Sequence, residues 1–310
     1  FNNADGNDEF GFWPMIIGGF FLYASHYGTD QTQSQRLLSS KDMPTIKRLL
    51  LANGIFRFPI TLTYCFMGLV LGTLLLQDVG FQNLLESTYQ ENIGNLAGKK
   101  ADLMVPIFII KYLPNGIIGI LIVAIMSAAM SSLSSTVNSL SAVTLEDFVK
   151  RFKPDVTDNE YVKYSRFISL FWGLVCLGFA FFAGSIEGTV IEVINKISSV
   201  FYGPILAAFI LAIASKKVQA MGANIGIVAG VGLNIYLWLA VPEVFWFWWN
   251  AIGCLTTIIV AIVISSFIRN KKSKTIEVVW YKNAKPAVVT LLVYFVIIVA
   301  LAWSLSKILS

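Results

Sequence analysis

Eight apolar runs long enough to cross a hydrocarbon core of ~30 Å recur along the chain, at roughly 13–31, 49–77, 115–144, 164–184, 190–214, 220–241, 246–268 and 286–306. A water-soluble core cannot absorb so much apolar surface: 56% of the 310 residues are hydrophobic, only 13% are charged, and the mean hydropathy is +0.71. In lipid every backbone polar group needs an internal partner, and helices provide one within each segment. The expected fold class is therefore all-α, a polytopic transmembrane helical bundle forming a single membrane domain over residues 1–310.

The basic residues orient that bundle, because Lys and Arg stay in the cytoplasmic loops. One set of loops holds Arg36, Lys41, Lys47 and Arg48, then Lys150, Arg151, Lys153, Lys163 and Arg166, then Lys216 and Lys217, then Arg269 to Lys285. The opposite loops hold Lys99, Lys100 and Lys111, offset by Asp78, Glu86, Glu91 and Asp102. With eight spans both ends of the chain lie outside. The formal charge of +5 is thus a topology signal; basic residues spread over four loops do not form a nucleic-acid surface.

Cys65, Cys176 and Cys254 fall inside spans without paired spacing, so neither a disulfide framework nor a thiolate site is indicated. A single His, with no HExxH, P-loop or GxSxG pattern, leaves metalloprotease, nucleotide hydrolase and esterase chemistry without support. The chain is not expected to be an enzyme. Its polar, acidic start without Met reads as the continuation of something longer.

The third span is unusual. From Ala124 to Asn138 it reads Ala-Ile-Met-Ser-Ala-Ala-Met-Ser-Ser-Leu-Ser-Ser-Thr-Val-Asn, and at 3.6 residues per turn Ser127, Ser131, Ser134, Ser135 and Asn138 share a face. Hydroxyl and carbonyl oxygens are hard, uncharged ligands suited to a weakly held Na⁺. Small residues and hydroxyls also let membrane helices pack closely. Residue types alone leave both readings open.

Arg57 interrupts the run from Leu49 to Phe58, where a charge is costly unless it is paired or faces water; it marks a pocket, or else its long stem reaches the headgroups. His26 sits among Tyr23, Ser25 and Tyr27 in the first span, a polar patch in a membrane helix. Asp30 and Gln31 close that span. Gly222, Gly226 and Gly230 repeat at helix spacing and indicate close packing against another helix.

Two blocks, Tyr27-Gly-Thr-Asp-Gln-Thr-Gln-Ser-Gln-Arg-Leu-Leu-Ser-Ser-Lys41 and Ser131-Ser-Leu-Ser-Ser-Thr-Val-Asn138 followed by Thr144-Leu-Glu-Asp147, resemble the sodium:solute symporter family. The resemblance continues through Tyr202-Gly-Pro-Ile-Leu206 and Trp249-Asn-Ala-Ile-Gly253. It implies a leucine-transporter-type fold of two inverted five-helix repeats, this chain supplying the second repeat and three further helices. The span at 13–31 would be the sixth core helix, the Ser-rich span the eighth and the span at 190–214 the tenth.

The resemblance also assigns residues. Family members hold one Na⁺ on the eighth core helix through the pattern Ala-x-x-Ser-Ser, here the Ala128 carbonyl and the Ser131 and Ser132 hydroxyls. Some hold a second one turn along, through positions that match Ser134 and Ser135 with Ser131 shared. The solute pocket of sugar-carrying members places its aromatic gate at His26, a departure, with Tyr27 and Tyr23 beside it. Their pocket lysine falls on Arg57 and their glutamine on Asn195.

The function implied is Na⁺-coupled symport of a small organic solute by alternating access, in a multi-pass protein of the plasma or inner membrane. One or two Na⁺ ions would move per cycle, and the bilayer, the solute and Na⁺ are the partners; no nucleic acid and no obligate protein partner are implied. Thr29-Asp30-Gln31 resembles the sugar and inositol branch, so a sugar or polyol is the first expectation. A monocarboxylate, vitamin or other anion is the alternative. A symporter-like sensor domain and a channel-like relative are the rival classes.

Overall fold

The computed structural model describes residues 11–91, 100–183, 189–215, 217–268 and 285–309, and every regular element among them is helical. A π-helical turn, Pro14–Gly18, leads into α1 (Gly19–Thr29). Asp30 leaves helical geometry (φ −71°, ψ 120°), and its carboxylate accepts from the Gln33 amide at 3.1 Å. It therefore starts α2 (Gln31–Leu38) as an N-cap, where the sequence suggested the end of a span. Asp42 repeats the device for α3 (Met43–Gln77), accepting from the Thr45 amide at 2.9 Å with Pro44 in the first turn.

There follow α4 (Val79–Glu91), α5 (Met104–Tyr112) and α6 (Asn115–Val143). A second π-helical turn, Thr144–Val149, and the short α7 (Lys150–Phe152) prolong α6. Then come α8 (Asp158–Ala183) and α9 (Val190–Ala214), the latter opened by a capping box between Thr189 and Glu192. The last helices are α10 (Ala220–Ala240), α11 (Trp246–Phe267) and α12 (Lys285–Leu309).

Six helical runs among the described residues are long and apolar enough to cross a membrane: Met43–Gln77, Asn115–Phe152, Asp158–Phe181, Val190–Ala214, Ala220–Ala240 and Trp246–Phe267. The first expected span is shortened by the break at Asp30. The last contains the shorter apolar stretch Pro286–Leu301. The runs expected to start at 49 and 164 start earlier, because Asp42 and the first-turn acids Asp158 and Glu160 extend those helices into polar sequence.

The described helices fall into two compact units. In the larger, α9, α10 and α11 form the core, with α1 on α9 and the first π-helical turn on α11. The spaced glycines of α10 explain the closeness of α10 to α11. A Cβ on Gly222 would lie 2.1 Å from Ser265 Oγ, one on Gly226 2.6 Å from the Thr257 carbonyl oxygen, and one on Gly230 2.1 Å from Thr257 Oγ1. Thr257, Ala261 and Ser265 are themselves four residues apart, so an i±4 row of one helix fits the groove of the other. Phe245, Trp246, Phe247 and Trp249 close one end of this core against Leu22 and Val200.

The smaller unit joins residues 35–82 with 277–310. Its described core is α3 against α12, close enough that a Cβ on Gly54 would sit 2.7 Å from Leu291 Cδ2.

Each unit contains a helix with an internal proline, and each answers it in the same way. Proline has no N–H for the carbonyl four residues back, so Pro59 orphans Ile55 and Pro204 orphans Val200. In α3 the Tyr294 hydroxyl of α12 donates to the Ile55 carbonyl at 2.9 Å. In α9 the Asn234 amide of α10 donates to the Val200 carbonyl at 3.0 Å. Within a bilayer, where water cannot serve the freed group, a side chain from a neighbouring helix is the remaining donor.

Candidate functional site

The Ser-rich segment lies in the middle of the continuous run from α6 to α7. Ala128, Ser131 and Ser132 stand at i, i+3 and i+4 and so lie on one side of one turn. Ala128, Ser131, Ser132 and Ser134 are exposed, and Ser135 is half-buried. The packed hydroxyls of this helix lie further along. Ser139 and Ser141 are buried, Ser141 Oγ is 2.9 Å from Ser169 Oγ of α8, and Trp172 of α8 donates to Thr144 Oγ1 at 2.9 Å. These two hydrogen bonds join the C-terminal end of α6 and the π-helical turn after it to α8.

The exposed segment offers neutral oxygens: the hydroxyls of Ser131, Ser132 and Ser134 and the carbonyls that a helix presents on the same turn. Among the described residues no three His, Cys, Asp or Glu side chains gather to hold a metal. The hydroxyls and carbonyls of this turn are ligands that suit a weakly held monovalent ion.

The second set of candidates lies where α1 meets α9. Ser25, fully buried, donates through Oγ to the Tyr202 carbonyl at 2.8 Å, and Thr29 Oγ1 donates to the Ser25 carbonyl at 2.9 Å. His26 lies beside the Tyr202 ring, with centroids 6.3 Å apart. Its Nε2 is 3.5 Å from the Gln33 amide nitrogen and its Nδ1 is 3.7 Å from the Asp30 carboxylate. His26 thus ties α1 to α2 across the break. Tyr23 and Tyr27, one turn apart, stack at 6.5 Å with an interplanar angle of 26°.

The structure brings Tyr23, His26 and Tyr27 together on α1. Asn195 lies two turns before Tyr202 on α9 and donates to the Ile191 carbonyl at 2.8 Å. Arg57 is exposed on α3, in the other unit, and its backbone carbonyl accepts from Thr61 Oγ1 at 2.9 Å. Asp30 is engaged in capping α2.

Sequence reasoning missed a buried polar junction of α9, α10 and α11. Asn234, Asn250 and Ser199 are fully buried. Asn250 Nδ2 donates to Ser199 Oγ at 3.0 Å and to the Phe247 carbonyl at 3.2 Å. A signal was present: two asparagines in apolar spans carry a desolvation cost of the same kind as the one that flagged Arg57, though smaller because the amide is neutral.

The described residues form an all-helical, multi-pass membrane chain whose polar groups line helix faces and helix breaks. The model of the family described as Sodium:solute symporter family matches residues 8–230, and the chain belongs to that family. It is 28% identical over 250 residues to a putative sodium-dependent multivitamin transporter of Drosophila melanogaster, covering 78% of this chain and 39% of that protein. It is 30% identical over 233 residues to the sodium-dependent multivitamin transporter of Oryctolagus cuniculus, covering 75% and 35%. It is 26% identical over 242 residues to the sodium/iodide cotransporter of Homo sapiens, covering 77% and 35%. The chain thus spans well under half the length of these relatives. The solved structure of a Na⁺-coupled sialic acid symporter, in a substrate-bound outward-open state, shares the fold. The TM-score is 0.61 at 22% identity, covering 89% of this chain and 53% of that one.

Proposed function

We propose that this chain is part of a Na⁺-coupled symporter that imports a small organic solute across the plasma membrane by alternating access, with eight crossings and the basic loops inside. The observation that carries the reading is the stretch Ala128, Ser131 and Ser132 on α6, exposed and flanked by Ser134 and Ser135. Within a bilayer protein exposed hydroxyls call for polar partners, and a Na⁺ ion is the partner that family membership favours. One ion would sit on Ala128, Ser131 and Ser132, and a second on Ser134 and Ser135. An inside-negative potential contributes about 2.3 kcal/mol per charge per 100 mV to each inward step.

For the solute, a small organic anion fits best. Multivitamin, monocarboxylate and iodide transporters stand among the relatives. Tyr23, His26 and Tyr27 would form the gate, and Asn195 would supply a carboxamide. A sugar or polyol is the second reading, favoured by Thr29-Asp30-Gln31 and Asn195. The capping role of Asp30 weakens it, since the helix break accounts for that residue without a ligand.

The test is uptake of radiolabelled monocarboxylates, biotin, glucose and inositol by proteoliposomes of the whole protein, with and without a Na⁺ gradient, beside Ser131→Ala. Accumulation that needs Na⁺ and fails in the variant is expected. Uptake indifferent to both Na⁺ and the substitution would overturn the assignment.

A further inference from the structure

A cavity of about 340 Å³ opens where α9 begins and the loop from α10 turns into α11. Its wall carries three indoles, Trp238, Trp246 and Trp249, and three charged side chains, Glu192, Lys196 and Glu243. Trp238 and Trp249 lie 6.1 Å apart, tilted by 32°. Trp249 is 3% exposed, and its Nε1 donor is buried without a hydrogen-bond partner among the described residues. Glu192 spends one carboxylate oxygen on the Thr189 amide at 3.2 Å. Lys196 and Glu243 make no ion pair among the described residues.

The acidic and basic groups that share this aromatic-lined cavity define what a ligand there would carry. Carboxylates beside indole faces attract an organic ammonium, by charge and by the ring quadrupole. The Lys196 ammonium repels a plain cation but answers a carboxylate. A plain anion would face Glu192 and Glu243. Only a ligand carrying both charges leaves none of the three side chains opposed.

We propose that this cavity is a binding site for a small zwitterion, an ammonium and a carboxylate a few bonds apart, whose ammonium rests between the carboxylates and the indoles and whose carboxylate meets Lys196. The charge bias of the loops puts this end of α9, α10 and α11 on the outer side, so the ligand would arrive from outside. The site needs neither Na⁺ nor transport, so its failure and that of the symport reading are separable.

The test is calorimetric titration of the whole protein in lipid nanodiscs, in potassium buffer free of Na⁺, with three molecules of nearly equal size. Glycine betaine carries both charges, choline lacks the carboxylate, and 3,3-dimethylbutanoate lacks the cation. Betaine is expected to bind at least about 10-fold more tightly than either, the scale of one well-placed charged contact. Glu243→Gln and Lys196→Gln, at side chains outside the packed core, should each weaken betaine about 10-fold, while Gly232→Ala on α10, where a Cβ meets nothing within 4 Å, leaves it unchanged. Choline binding as tightly as betaine would overturn the proposal. So would betaine binding that survives both cavity substitutions or is lost with Gly232→Ala, or no betaine binding at all.

Discussion

Replacing Asn234 by Leu tests whether a side chain from α10 stands in for the hydrogen bond that Pro204 removes from α9. Asn234 is fully buried, and its Nδ2 lies 3.0 Å from the Val200 carbonyl and 3.3 Å from that of Ser199. The Ser199 carbonyl keeps the helical donor of Gly203, so the group at risk is Val200. Leaving one buried carbonyl unpaired costs about 1–3 kcal/mol. Interhelical hydrogen bonds in membranes average nearer 0.6 kcal/mol, because the unfolded chain in lipid finds partners too. Leu also crowds Gly253, where a Cβ would lie 2.4 Å from Asn234 Nδ2. A double-mutant cycle removes that complication. Pro204→Ala restores the N–H that serves Val200, so Asn234→Leu should cost about 1–2 kcal/mol less there than in the parent background, while the crowding appears in both and cancels. Unfolding by SDS in mixed micelles, followed by tryptophan fluorescence, measures the four proteins. Costs additive to within about 0.5 kcal/mol would refute the reasoning, because the Val200 carbonyl would then have another donor.

The α10–α11 contact separates two glycines of one helix. Gly226→Ala should destabilise by about 1–3 kcal/mol, since its Cβ would meet the Thr257 backbone oxygen at 2.6 Å, whereas Gly232, with nothing within 4 Å, should accept Ala with no loss; thermal melting in detergent distinguishes them. At the start of α3, hydrogen bonds from Thr45 hold the Asp42 carboxyl below the usual aspartate range. Its contribution to the cap is therefore complete above the ordinary aspartate pKa and lost as pH falls through the lowered folded value. Protection of the Thr45 amide against hydrogen exchange, corrected for intrinsic rate, should fall in that acid window and should not do so in Asp42→Asn, whose amide oxygen still accepts.

What was legible in the sequence follows from what each signal depends on. Apolar run length depends on bilayer thickness alone, so the long helices from α3 to α11 were readable, with ends shifted wherever a capping acid lay upstream. Gly222, Gly226 and Gly230 announced a close contact because their period is a property of one helix. The partner could not be named: Thr257, Ala261 and Ser265 repeat at the same period but become a groove only once α10 and α11 are paired. The hydroxyls from Ser131 to Ser135 were legible as a polar cluster in an apolar span. Their exposure was not, because burial of one helix depends on which others reach it.

The prolines divide the two kinds of knowledge most sharply. From sequence, Pro59 and Pro204 each state that a carbonyl four residues earlier lacks its donor, and the bilayer requires that some side chain supply one. That side chain is bound by no spacing rule, since it comes from a different helix: Tyr294, 239 residues from Ile55, and Asn234, 34 residues from Val200. The same logic explains why Asn234 was passed over. Its cost as a polar group in a span was calculable, but its use becomes visible only when it is read against the proline on the neighbouring helix. A buried amide in a membrane helix is thus better sought by pairing it with each internal proline than by its own polarity.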